Sequence, residues 1–423
     1  MNMLHYLVEH NRYLNIVGIL VIIGIAALLS FKRSHINIKL ILNAMLLQFV
    51  LALVVLKTSY GQYAVATLAG LIGHIYTFAQ VGIGFVFGSL ADAQGPWGFI
   101  FAIRVLPVII FFGAFTALLF HWRIIQKVVY AITVVVRPLL GTSGAETLCA
   151  IANSFLGQTE APLLVRNYLR TMTKSEMLVV MVSGMATISG AILIVFASMG
   201  VPATHLLAAS VMSIPASIMI AKILYPETEE SQTQDGVQVV MEPTTHNAFD
   251  AISTGTTDGL SLAVNVGAML IAFLALLAFG NHVLGFVSYM FNAAFLYVGL
   301  PFTLPALSFD LIFSYLFAPF AYLLGFTGTD ALAAGRLLGT KVAVNELIAY
   351  GNMVAMNLPD RVVNIMTYAL CGFSNFSCIG IQVGGIGALV PEKRAWLTEL
   401  GLYAVLGGAL SNLMTAMVAS LLL

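Results

Sequence analysis

Runs of about twenty apolar residues recur along the whole chain, near 14–31, 37–56, 99–120, 176–198, 203–224, 260–280, 362–388 and 396–422. Each is long enough to cross a hydrocarbon layer as a helix, which needs about 20 residues. Inside that layer the chain must pair its own backbone groups, so the runs read as helices and the chain as an all-α integral membrane protein with eight spans. Only 9% of the residues are charged, against about a quarter in a soluble domain. The formal net charge is zero, so nothing points to nucleic acid. Cys149, Cys371 and Cys378 lie in apolar stretches without a CxxC pair, which argues against a disulfide framework or a metal site. The N-terminus lacks a basic leader region and a cleavage site, so the first helix is expected to be retained.

Two stretches are too interrupted to be ordinary spans, 130–170 and 328–356. Each is apolar, breaks near its middle and carries an acidic residue, and each shares a Leu-Gly step: Leu156-Gly157-Gln158-Thr159 and Leu338-Gly339-Thr340-Lys341. They read as re-entrant hairpins in two repeated units, an arrangement that places a transporter's binding site near the midplane; kinked ordinary helices are the competing reading. Residues 61–90 are Gly-rich and carry His74 and Gln80, and read as an amphipathic or interfacial helix. The aromatic, proline-broken stretch 284–325 reads as short interfacial helices, and the acidic run 226–258 as a solvated loop. The expected units are residues 1–128 and 226–327 as scaffold, and 129–225 and 328–423 as the two transport repeats. With the N-terminus outside, Lys32, Arg33, Lys39, Arg123, Lys127 and most other cations fall on the cytoplasmic side, leaving Arg12, Lys57 and Arg361 outside. Both termini are then outside, and the hairpins enter from opposite faces.

Polar residues in apolar runs mark the candidate site, because they are expensive in hydrocarbon. Gln158, Thr159 and Glu160 sit between Gly157 and Pro162, with Asn153 just before them. A re-entrant tip leaves helix-end groups free to bind a polar solute; the bland alternative is a tip stabilised by its own side chains. Asn345-Glu346 forms a second acidic point, and Lys341, five residues before Glu346, is poorly spaced for a one-face ion pair. In Gly372-Phe373-Ser374-Asn375-Phe376-Ser377-Cys378, Asn375 and Cys378 share a face if helical. Phe373 could stack on a flat ring or simply pack. Ser183-Gly184-Met185-Ala186-Thr187-Ile188-Ser189-Gly190 reads as close helix packing or as an unwound segment whose oxygens suit an alkali cation. No GxxxxGK[ST], HExxH or GxSxG occurs, so ATP drive and a recognisable hydrolase have no support.

Taken together, Gly157-Gln158-Thr159-Glu160-Ala161-Pro162-Leu163, Gly339-Thr340-Lys341 through Asn345-Glu346, Cys371 to Ser377, Asp258-Gly259-Leu260 with Asn265 to Leu270, and Gly384-Gly385-Ile386-Gly387 resemble the concentrative nucleoside transporter family, in order over nearly the whole chain. The resemblance implies a bacterial eight-helix symporter with two re-entrant hairpins in an inverted repeat. It would be a homotrimer in the cytoplasmic membrane that moves nucleosides with sodium, or in some members protons, by an elevator motion, with no organic cofactor. Carried onto this chain, it implies that Gln158 and Thr159 hydrogen-bond the base, with Glu160 close by. Ile192 would line the base pocket and Phe373 pack on the base. Glu346 and Asn375 would hold the ribose. Asn153 and Thr187, with the carbonyls of Leu156 and Ile188, would form the sodium site. Cys378 stands where many members carry a serine that contacts ribose, and a thiol is the weaker hydrogen-bonding group.

Overall fold

A computed structural model describes residues 3–92, 95–98, 100–234 and 245–423. Asp235 and Glu242 of the acidic run, and Met1 and Asn2, lie outside the described residues. Among the described residues the regular elements are all helical. In chain order they include α1 (Arg12–Leu28), α2 (Ile38–Lys57), α3 (Ser59–Phe87), α4 (Leu106–His121), α5 (Ile124–Leu140), α6 (Gly144–Asn153), α7 (Lys174–Ala186), α8 (Gly190–Ser198) and α9 (Ala203–Leu224). Further along the chain are α10 (Ala248–Tyr297), α11 (Phe309–Leu323), α12 (Gly328–Ala343), α13 (Glu346–Ala355), α14 (Asp360–Leu370), α15 (Ser377–Leu389) and α16 (Arg394–Leu422).

By length and composition, eight stretches of the described residues can cross a membrane, but they are not the eight of the hydropathy reading. Ser59–Ala91 qualifies. The segment expected to be interfacial is thus one unbroken helix of spanning length, because its glycines interrupt the apolar character without interrupting the backbone ladder. The run 362–388 is a broken helix rather than a continuous one: α14 and α15 are separated by a non-helical stretch at Cys371–Phe376. Residues 284–297 are not a separate interfacial helix either. They continue the 50-residue α10, which stops only at Gly299 and Pro301. The acidic run is only partly loop, since α10 begins at Ala248, with the Asn247 side chain accepting from Asp250 N at 2.9 Å.

Both expected hairpins are present, with one adjustment. The first starts at α6 rather than near 130, because Gly141 (φ +69°) ends the amphipathic α5 and Ser143 starts a new helix. Ser143 N donates to Glu146 Oε1 at 2.9 Å, Thr173 N donates to Glu176 Oε2 at 2.8 Å, and Ser143 Oγ joins these two capping boxes through Glu176 Oε1 at 2.5 Å. Lys222 from α9 closes the cluster, 2.7 Å from Glu146 and 3.1 Å from Glu227. Buried carboxylates of this kind are tolerated only when paired and hydrogen-bonded. In the second hairpin α12 and α13 meet at Val344–Asn345, and α11 turns into α12 through 112°.

The helices divide by burial. The most apolar windows of α7–α8, α9 and α16 are 83%, 89% and 83% buried, whereas those of α3 and α10 are 11% and 6% buried. The buried set forms a polar-threaded core against which both hairpins fold, and the exposed helices present apolar faces suited to lipid or protein neighbours. The exposed α10 meets α4 through glycines: a Cβ on Gly255 would lie 2.5 Å from Gly113 O, so the backbones touch only because both residues lack one.

Candidate functional site

The site is assembled from two hairpin tips facing two broken helices. In the first repeat α7 stops at Ala186 and α8 begins at Gly190, with Thr187 extended (ψ 169°) between them. The hairpin tip docks onto this break: Thr187 Oγ1 donates to Asn153 O at 2.9 Å, and Gly190 N donates to Phe155 O at 3.1 Å. Glu160 folds back on its own tip, accepting from Gly157 N at 2.8 Å. In the second repeat Asn345 caps α13, accepting from Ile348 N at 2.9 Å, which makes Glu346 the first helical residue and aims it at the break between α14 and α15. There Asn375 Nδ2 donates to Glu346 Oε2 at 3.0 Å, while Asn375 Oδ1 accepts from Cys378 N at 3.1 Å and from Ser377 Oγ at 2.6 Å.

Gln158, Thr159, Glu160, Ile192, Glu346, Phe373, Asn375 and Cys378 all line one cavity of about 220 Å³. The polar groups come from both hairpins and the second break, and the apolar wall from α8. Val105 and Ile109, with Leu262, Asn265, Val266 and Met269 of α10, close the other side. An adjoining cavity of about 410 Å³ shares Thr159 and Glu160 and runs between α4, α10 and the first tip as far as Phe120 and Thr245. The chamber has the composition of a small-molecule site, mostly apolar with a few convergent polar groups.

Asn153, Leu156, Thr187 and Ile188 are all buried, and Thr187 Oγ1 joins the break after α7 to Asn153 O behind the first tip. Asn153 Nδ2 donates to Ser183 Oγ at 2.9 Å, whereas its Oδ1 is buried without a hydrogen-bond partner. An orphaned buried oxygen among hydroxyls and helix-end carbonyls is the hard donor set an alkali cation takes.

Three family models match in succession: the N-terminus of Na+ dependent nucleoside transporters over residues 17–90, a nucleoside-recognition gate over 102–203, and the Na+ dependent nucleoside transporter C-terminus over 205–420. The chain is 37% identical to the nucleoside permease NupC of Helicobacter pylori, across 96% of this chain and 97% of that protein. It is 40% identical to an uncharacterized transporter of Haemophilus influenzae, with the same coverage. The solved structure of CNTnw in an inward-facing substrate-bound state superimposes with a TM-score of 0.87 at 37% identity over 97% of both chains, and a CNTnw variant in an outward-facing state with 0.89. The chain belongs to the concentrative nucleoside transporter family. It is a multi-pass membrane transporter and not an enzyme.

Knowing the family does not by itself reveal what supports the site, and two polar residues that the sequence reading passed over do much of this. Asn412, in the middle of α16, donates through Nδ2 to Ala186 O at 2.7 Å and to Cys371 O at 2.6 Å, one carbonyl from each broken helix. Its Oδ1 accepts from Lys341 Nζ at 2.6 Å and from Ser374 Oγ at 3.3 Å. Lys341 also donates to Ala369 O at 2.9 Å. The lysine of the second hairpin therefore serves a helix-end carbonyl, Ala369 O, and the Asn412 amide oxygen rather than a one-face pair with Glu346, in line with its spacing. Gly372 admits this crossing, since a Cβ there would lie 2.6 Å from both Asn412 Oδ1 and Met185 O. The second is Gln382 on α15, fully buried behind Gln158. In this transporter an amide in the middle of an apolar run was the available signal for both residues.

Proposed function

We propose that this chain is a secondary active importer of nucleosides driven by a sodium gradient. The observation that carries the reading is the convergence of the eight side chains on one chamber with an oxygen-rich cluster directly behind it. Family membership and the Na+ dependent description of the matching models support it. Gln158 and Thr159 would hydrogen-bond the base, with Glu160 beside them, Ile192 lining its pocket and Phe373 packed on its face. Glu346 and Asn375 would hold ribose hydroxyls, and Cys378 would contribute a weaker contact than a serine. Sodium held by Asn153, Thr187 and the carbonyls of Leu156 and Ile188 would order the first tip, so that each ligand raises the affinity of the other. The two repeats would carry this cargo as one body past α3, α4 and α10 within a homotrimer, in the bacterial cytoplasmic membrane with both termini outside.

Uridine uptake into proteoliposomes is expected with an inward sodium gradient and not with potassium in its place at matched pH. Uptake that ignores sodium and collapses with the pH gradient would transfer coupling to protons carried by Glu160 or Glu346. Failure of folded protein to take up uridine or adenosine under any gradient would remove the nucleoside assignment. Thr187→Val keeps shape but deletes the hydroxyl that faces Asn153 and Ser183. It is expected to raise the sodium concentration for half-maximal uptake by about tenfold, the effect of roughly 1.4 kcal/mol, with little change at saturating sodium.

A further inference from the structure

Gln382 lies outside the chamber, on the far side of Gln158 from it, and its hydrogen bonds determine which end of the Gln158 amide meets cargo. Gln382 Nε2 donates to Met181 O at 2.9 Å and to Gln158 Oε1 at 3.0 Å. A backbone carbonyl can only accept, so the group that Gln382 turns toward Met181 must be its NH2 end. The same NH2 then meets Gln158, which must answer with its own carbonyl oxygen. Gln382 Oε1 is buried without a partner in this orientation. Turning the amide over would set that oxygen against Met181 O and Gln158 Oε1 and lose both hydrogen bonds, so the observed orientation is the one that keeps them. With its oxygen engaged behind, Gln158 directs Nε2 forward, 3.4 Å from Cys378 Sγ at the chamber wall.

Packing holds the relay as tightly as its hydrogen bonds do. Gln382 is fully buried and Gln158 is 8% exposed. A Cβ on Gly184 would lie 2.8 Å from Gln158 Cβ and 2.9 Å from Gln382 Nε2, so the α7 backbone presses directly on the pair. A freely rotating glutamine offers a donor or an acceptor as the cargo requires. One held by its oxygen offers only N–H. The weak acceptor Cys378 Sγ leaves that N–H easily redirected toward a better partner.

We propose that Gln382 is a positioning residue that makes Gln158 an obligate donor, so that the site favours bases presenting a carbonyl oxygen at the edge Gln158 meets over bases presenting an amino group there. This rests on the nucleoside reading. Uridine and cytidine are the probes, because at ring position 4 the first carries a carbonyl and the second an amino group.

The test is equilibrium binding of uridine and of cytidine to the purified full-length protein in saturating sodium, for wild type and Gln382→Met, which keeps side-chain length but cannot donate. The wild type is expected to bind uridine about tenfold tighter than cytidine. In Gln382→Met, uridine affinity falls about tenfold and cytidine changes little, so the ratio approaches one. Equal loss for both nucleosides would reduce Gln382 to a packing residue and overturn the proposal. So would a wild type without preference, a result that needs no variant to fold. Binding of neither nucleoside by folded wild type is a distinct result that overturns the nucleoside reading and this proposal with it.

Discussion

Glu346→Gln is expected to weaken nucleoside binding and uptake by roughly tenfold to a hundredfold, because hydrogen bonds to a charged group contribute about 1.5–3 kcal/mol against about 1 for a neutral pair. The carboxylate is 7% exposed, accepts from Asn375 Nδ2 at 3.0 Å and faces the chamber. One oxygen is thus engaged by the break between α14 and α15, and the other can meet a pair of cargo hydroxyls. Glutamine keeps the volume, so fold and thermal stability should survive. Substrate affinity should fall for purine and pyrimidine nucleosides alike, since the proposed contact is to the sugar. The measurement is binding and uptake at equal amounts of folded protein. Normal uptake by a well-expressed variant would withdraw the ribose role.

The second large effect concerns stability. Lys341→Met is expected to lower folding stability by about 2–4 kcal/mol and to weaken nucleoside binding with it. Lys341 is 2% exposed, and its ammonium supplies the donors that Ala369 O and Asn412 Oδ1 use. Without it Ala369 O stays buried and unpaired, at a cost of about 1–3 kcal/mol, and Asn412 Oδ1 keeps only the 3.3 Å hydrogen bond from Ser374 Oγ, partly offset because a charge is no longer held out of water. The consequence reaches cargo because Asn412 also binds Ala186 O, Cys371 O and Ser374. When it shifts, the break that carries Phe373 and Asn375 shifts too. Thermal unfolding in detergent, followed by uridine binding below the transition, separates the two effects. An unchanged melting temperature with unchanged affinity would show Lys341 to be dispensable.

These two residues also show how the repeats differ. In the first repeat the hairpin arm presents a neutral side chain to the broken helix, and Asn153 Oδ1 is left open. In the second the arm presents an ammonium, which donates to the helix-end carbonyl Ala369 O and to Asn412 Oδ1. The paired hairpins were legible from hydropathy, but the shared Leu-Gly step does not mark equivalent places: Leu156-Gly157 lies at the first tip and Leu338-Gly339 inside α12, before the second tip at Val344–Asn345. Their unequal chemistry depended on which oxygens each arm reaches.

Span assignment was legible to the extent that it is a local property. Hydropathy located the buried helices α9 and α16 because their apolar runs are unbroken. It did not show the continuity of α3 and α10 or the break between α14 and α15, where the backbone continues through polar or glycine-rich sequence or stops inside apolar sequence. A glycine-rich apolar run and a broken helix have similar mean hydropathy; what separates them is whether tertiary partners satisfy the interrupted carbonyls. At the break after α14, the partner is Asn412, 41 residues further along.

By itself the sequence determined that this chain is a helical membrane protein, that its costly polar residues cluster at two hairpins and two following helices, and which of them could face cargo. Scarcity decides this, because few side chains in such a chain can hydrogen-bond at all and each must have a use. Only the tertiary structure decided how those residues are held. Gln382 meets Gln158 across 224 residues and Asn412 meets Ala186 across 226. The direction in which a buried amide points is set by the partner that can only accept or only donate, and that partner is specified by packing between distant segments rather than by any local pattern.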